Sequence, residues 1–225
     1  MATPPVAESE HARIARFGMW VFLVTDAMSF AALLLAAAVL RVRAESWPRI
    51  GTNLPLAAVA AAALFASSLT LMRGRVVATL ALGATFLGVQ VYEWATLLHG
   101  DLDVARAIFF VVTGWHGLHV IAGLVVLALA RRSPGTGAAA LFWQFVDAVW
   151  IVLFTVFYLA PAVPAAAAIA LGFGAALGFL AIVFFPMNLR REPRAVKVVF
   201  VLPLVLPILF TVALVADAAT RGIRP

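Results

Sequence analysis

Cysteine is absent from the 225 residues, which excludes disulfides, thiolate metal ligands and catalytic thiols. Charge is scarce as well. Asp, Glu, Lys and Arg make up 12% of the chain, about half the share usual in soluble domains. Alternating polar and apolar runs of the β type are missing, and so are a Ser-His-Asp set, a glycine-rich phosphate loop and any redox-cofactor motif. What fills the chain instead is apolar: 65% hydrophobic residues and a mean hydropathy of +1.09. That balance belongs to a polytopic membrane protein. The net charge of +6 does not point to nucleic acid, because the sixteen Lys and Arg sit in short clusters between apolar runs, where they suit lipid headgroups.

Seven apolar segments are long enough to cross a bilayer: roughly 17–40, 54–72, 77–98, 107–130, 138–160, 163–186 and 198–218. Each ends on charged, Gly or Pro residues, among them Arg73-Gly-Arg75, His99-Gly-Asp-Leu-Asp103 and Arg190-Arg-Glu-Pro193. Lipid offers the backbone no hydrogen-bond partner, so the expected fold is all-α, with seven transmembrane helices. The polar residues 1–16 read as a cytoplasmic segment, and the first apolar run as an uncleaved anchor. With that end inside, the cytoplasmic side carries Arg13, Arg16, Arg73, Arg75, Arg131, Arg132, Arg190, Arg191, Arg194 and Lys197. The far side carries Arg41, Arg43, Arg49, Arg106, Arg221 and Arg224. The excess inside favours this orientation, with the C-terminus outside. Composition shifts near 161: residues 17–160 are rich in Trp and Phe and hold intramembrane polar groups, whereas 161–225 is Ala/Gly-rich and then aliphatic. The expectation is a five-helix domain over 17–160 and a two-helix appendage over 161–225.

Three acids fall inside predicted spans: Asp26, Glu93 and Asp147. Asp26 is nine residues past Phe17, about 14 Å along a helix and so near the middle of a hydrocarbon core about 30 Å thick. An acid at that depth is costly and needs a partner. It either holds and passes a proton or ties two helices together by hydrogen bonds. Helical spacing aligns Gly18, Phe22, Asp26 and Ser29; Gly83, Phe86, Gln90 and Glu93, with Tyr92 and Trp94 alongside; Thr113, His116, Val120 and Gly123, with His119 nearby; and Gln144, Asp147, Ile151, Thr155 and Tyr158. Four such stripes suggest one shared polar interior. His116 and His119 stand three apart, as metal ligands can, but a carboxylate-bridged bimetal bundle would show Glu-x-x-His pairs on two helices. No predicted span contains one. Interhelical hydrogen bonding is the expected role of both histidines, with no metal bound.

The motifs resemble a known family. Phe109-Phe-Val-Val-Thr-Gly-Trp-His-Gly-Leu-His-Val-Ile-Ala-Gly123 resembles the Thr-Gly-x-His-Gly-x-His signature of subunit III of the haem–copper cytochrome c oxidases. Phe142-Trp-Gln-Phe-Val-Asp-Ala-Val-Trp150 resembles its Tyr-Trp-His-Phe-Val-Asp-x-Val-Trp block. Gly18-Met-Trp-Val-Phe-Leu-Val-Thr-Asp-Ala-Met-Ser-Phe30 and Gln90-Val-Tyr-Glu-Trp94 resemble two further blocks, and the four in order cover most of 15–160. Two positions depart from the pattern: Asp26 stands where the family has Glu, and Gln144 where it has His. Phe184-Phe-Pro-Met-Asn-Leu-Arg-Arg-Glu-Pro193 and the aliphatic run after it resemble the small subunit IV of bacterial oxidases, which implies a III–IV fusion.

The resemblance implies an accessory subunit of a proton-pumping terminal oxidase of the bacterial inner membrane, which reduces oxygen to water beside subunits I and II. Haem and copper are expected in those partners and none in this chain, with structural phospholipid in a cleft between its helices. Asp26 becomes the proton-related carboxylate, and Gln90, Tyr92, Glu93, Trp94, His116, His119, Gln144 and Asp147 the interior network or lipid cleft. Supporting proton uptake, admitting oxygen and slowing turnover inactivation are the implied roles. Alternatives are an accessory subunit of a quinol oxidase or nitric oxide reductase, a purely structural anchor, and a proton-coupled transporter, although no internal repeat or paired broken helices are present.

Overall fold

A computed structural model describes residues 10–44, 50–131 and 136–162. Within them the chain forms five long helices: α1 (Glu10–Arg43), α2 (Leu54–Met72), α3 (Val76–Leu97), α4 (Val104–Ala130) and α5 (Thr136–Phe154), which continues through a π-helical turn (Thr155–Leu159) into Ala160–Ala162. All five are long and apolar enough to span a membrane. The two C-terminal spans expected at 163–186 and 198–218, and with them the appendage resembling subunit IV, lie outside the described residues.

The observed α1 extends beyond the apolar run at 17–40 at both ends. Hydropathy reads only the stretch that tolerates hydrocarbon, whereas the backbone ladder of a helix continues through the headgroup zone, where Glu10, Arg41 and Arg43 are solvated. The other helices start and stop on local chemistry. Asn53 caps α2 by accepting from the Leu56 amide at 3.0 Å, with Pro55 in the first turn where its missing N–H costs nothing. Asp103 caps α4 by accepting from the Arg106 amide at 2.8 Å. Between α2 and α3 the chain reverses at Gly74, whose φ of +71° suits glycine and whose N–H donates to Leu71 O at 2.9 Å.

Helix α5 organises the bundle. It packs on α1, α2 and α4, while α2 and α3 form a hairpin and α3 also lies along α4. Leu141, Trp143, Phe145, Val146, Trp150 and Leu153 of α5 are almost wholly enclosed. Lipid does not drive helices together as water does, so close packing and interhelical hydrogen bonds must. The Trp143 ring is seated against two glycines on different helices, Gly83 of α3 and Gly123 of α4, and its Nε1 donates to Ser67 Oγ of α2 at 2.9 Å. One side chain thus links four helices.

That seat makes a prediction. A methyl group at Gly83 would lie 2.6 Å from the Trp143 ring and 2.8 Å from Leu124. Gly83→Ala should therefore lower stability by about 1–3 kcal/mol. Gly88→Ala, where nothing lies within 4 Å, should leave it unchanged or raise it. Thermal unfolding in detergent compares the two variants, and equal melting of both would remove the wedge from the account.

Candidate functional site: polar clusters inside the bundle

The first cluster lies at the seam between α1 and α4. Asp26, only 9% exposed, meets His119, whose Nε2 is 3.2 Å from Oδ1 and 3.1 Å from Oδ2. The other ring nitrogen, Nδ1, lies 2.7 Å from the Trp115 carbonyl oxygen. A carbonyl can only accept, so this network assigns the Nδ1 proton to that bond. Nε2, the remaining ring nitrogen, then faces the carboxyl group within hydrogen-bonding distance. Ser29 Oγ donates to the Asp26 carbonyl at 2.7 Å, and the Trp115 indole donates to Ser29 Oγ at 3.2 Å. Edge-on contacts of Phe30 and Trp115 with the His119 ring, each at 5.1 Å between centroids, fix its plane.

The second cluster lies near the loop end of α3. Glu93, 3% exposed, accepts from the Asn53 amide at 3.1 Å through Oε1 and from the Tyr158 hydroxyl through Oε2. Gln90, one turn away, approaches the same hydroxyl. Tyr158 belongs to the π-helical turn of α5. A π turn widens the helix by one residue and re-aims the side chains it carries. Thr52 Oγ1 donates to the carbonyl of Phe157 in the same turn, at 3.4 Å.

The third cluster ties α5 to the α2–α3 hairpin. The Ser68 hydroxyl donates to Asp147 Oδ2, Ser67 Oγ accepts from the Trp143 indole N–H, and Thr79 Oγ1 donates to the Ser67 carbonyl at 3.2 Å. All of these side chains are buried.

The chain is 35% identical to a cytochrome c oxidase subunit 3 from Thermostichus vulcanus, over 67% of this chain and 89% of that one. It is 34% identical to the cytochrome c oxidase subunit 3 of a Synechocystis species, over 70% and 81% of the two chains. A cytochrome bo(3) ubiquinol oxidase subunit 3 from Pseudomonas aeruginosa is 32% identical over 64% and 83%. No family model matches the chain. The chain belongs to the cytochrome c oxidase subunit 3 family. With five membrane-length helices, this subunit 3 homologue is a multi-pass membrane protein.

In the subunit 3 homologue, Asp26 and His119 meet, as do Gln90 and Glu93 with Tyr158. Trp94 is partly buried and donates through Nε1 to Thr113 Oγ1 at 3.2 Å. Gln144 and Asp147 are buried on α5. Tyr92 is different: it is 63% exposed and directed away from the bundle, because it sits one residue off the face of α3 that carries Phe86, Gln90 and Glu93. The stripe read on α1 is also shifted. Gly18 and Phe22 are exposed, and the inward face is Trp20, Leu23, Ala27 and Phe30, with Asp26 at its edge. His116 and His119 do not converge, for His116 turns inward to stack on Trp150. Among the described residues, no three His, Asp or Glu side chains gather as a metal site would need.

The polar groups of α2 were missed by the sequence reading. Ser67 and Ser68 supply partners to Trp143 and Asp147, and their only signal was an isolated polar dipeptide in an Ala/Leu-rich span. The second cluster yields a measurable expectation. Tyr158→Phe removes one of the two donors to a buried carboxyl group, which should cost about 1–3 kcal/mol of stability. In a double-mutant cycle with Glu93→Gln, the two losses should fall short of additive. Additivity within error would mean that the hydroxyl and the acid act independently.

Proposed function

We propose that this chain is the accessory subunit 3 of a proton-pumping terminal oxidase that takes electrons from cytochrome c, holding no redox metal itself and serving subunits I and II. Family membership supports the accessory place in an oxidase complex. The observation that carries the role of the chain's own residues is the Asp26–His119 contact on the α1–α4 seam, an acid inside an apolar span hydrogen-bonded to an imidazole. An intramembrane acid with a titratable partner is the arrangement expected of a group that holds or passes a proton. Haem and copper would belong to subunits I and II. Phospholipid would occupy a cleft between the helices, and the pair would support proton uptake and the working lifetime of the catalytic subunit. The N-terminus would be cytoplasmic, by the distribution of arginines. Residues 161–225 would form the two-helix appendage resembling subunit IV.

A ubiquinol-oxidising complex is the second reading, favoured by the resemblance to the Pseudomonas aeruginosa protein at nearly the same identity as to the cytochrome c oxidase subunits. The complex isolated in mild detergent separates the two: oxidation of reduced cytochrome c supports the first, oxidation of ubiquinol alone the second.

Asp26→Asn tests the role of the pair. The variant complex should assemble with an unchanged visible spectrum and lose carbodiimide labelling at this position. It should complete severalfold fewer turnovers before inactivation than the wild-type complex. Asp26→Glu should restore the lifetime. Wild-type turnover number and pumping in Asp26→Asn would leave the pair as packing alone.

A further inference from the structure

His116 is the buried group that neither the clusters nor the proposed role uses. It is 1% exposed, and it lies in an aromatic enclosure made by three other helices. Its ring stacks on Trp150 of α5 at 5.3 Å and 25°, and meets Phe86 of α3 edge-on at 5.8 Å and Phe30 of α1 at 6.4 Å. Neither ring nitrogen has a hydrogen-bond partner among the described residues. A neutral imidazole must donate from one nitrogen and accept at the other. Both needs are therefore unmet at a depth where lipid can answer neither.

Two donors in the same region share that condition. Trp150, whose ring covers the imidazole, is 1% exposed, and Gln90, one turn from Phe86 on α3, is 3% exposed; among the described residues neither Trp150 Nε1 nor Gln90 Nε2 has a partner. A side chain alone does not complete this set, since an indole N–H and an amide N–H can only donate. Water serves both needs: one molecule accepts from two of these N–H groups and donates to the imidazole acceptor, and a second accepts from the N–H that remains. Buried waters typically make about three hydrogen bonds to otherwise unpaired groups. Each unmet group would otherwise cost about 1–3 kcal/mol, more than the roughly 0–2 kcal/mol of immobilising one water.

We infer that His116, Trp150 and Gln90 hold internal water at the junction of α3, α4 and α5, a hydration site built into the aromatic middle of the bundle. The site stands one helical turn from His119 on α4 and one turn from Glu93 on α3, between the first two polar clusters. It does not depend on the electron donor of the complex, nor on a proton role for Asp26.

The intact oxidase complex, in detergent and at a resolution that places waters, tests this directly. Wild type should show ordered water within hydrogen-bonding distance of a His116 ring nitrogen and of Trp150 Nε1 or Gln90 Nε2. His116→Leu should lose that density, and with it an infrared O–H stretching band that shifts in water enriched in the heavy oxygen isotope. His116→Gln, which keeps a donor and an acceptor, should retain both. A dry site, or an imidazole turned to bond directly to Asp147 or another side chain, overturns the inference. If His116→Leu fails to accumulate, the wild-type density and its isotope-sensitive band decide by themselves.

Discussion

A polar side chain inside hydrocarbon has no solvent to fall back on, and the arrangement of this protein follows from how its few such groups are satisfied. Direct hydrogen bonds join them mostly in pairs across neighbouring helices: Asp26 with His119, Glu93 with Tyr158, Asp147 with Ser68. Each pair fixes the rotation of two helices about their own axes, because turning either helix would expose an acid to acyl chains. Apolar packing against lipid could not supply that specificity, since leucine gains little by exchanging one apolar neighbour for another.

Helix α5 is where these constraints meet. It supplies Asp147 to α2, Tyr158 to α3, and the rings of Trp143 and Trp150 to the middle of the bundle. Its Thr155–Leu159 turn is π-helical, and that irregularity carries the residue bonded to Glu93. Glycines at 83 and 123 admit the Trp143 ring, so small residues on two helices and one large ring on a third form a single packing device. The Asp26–His119 pair sits apart from this centre, on the seam where α1 lies against α4.

The clusters are separated by rings rather than continuous. Phe30, Phe86 and Trp150 stand between the acid on α1 and the acid on α3, with His116 among them. An interior built this way is rigid, because edge-on aromatic contacts and close helix packing leave side chains few rotamers. It can pass a proton or a polarisation only where hydrogen-bonding groups bridge the aromatic layer.

Apolar runs and the charged, Gly and Pro residues that end them were legible as helices and their limits, since hydrocarbon permits little else, whereas the Asn53 and Asp103 caps emerged only in the structure. The face shared by Phe86, Gln90 and Glu93 was equally legible, because a 3.6-residue period is a property of one helix. What the amino-acid order by itself determined was therefore the number and kind of spanning elements in the described region, the position of each acid along its helix, and the family signature. Only the tertiary structure decided who meets whom. Two serines in an alanine-rich span became partners of Trp143 and Asp147, Tyr92 turned outward one residue off its face, and His116 and His119 parted company although three residues apart. The physical reason is that partner choice depends on how α1, α2, α3 and α4 are rotated against α5, and no periodicity within a single helix carries that angle.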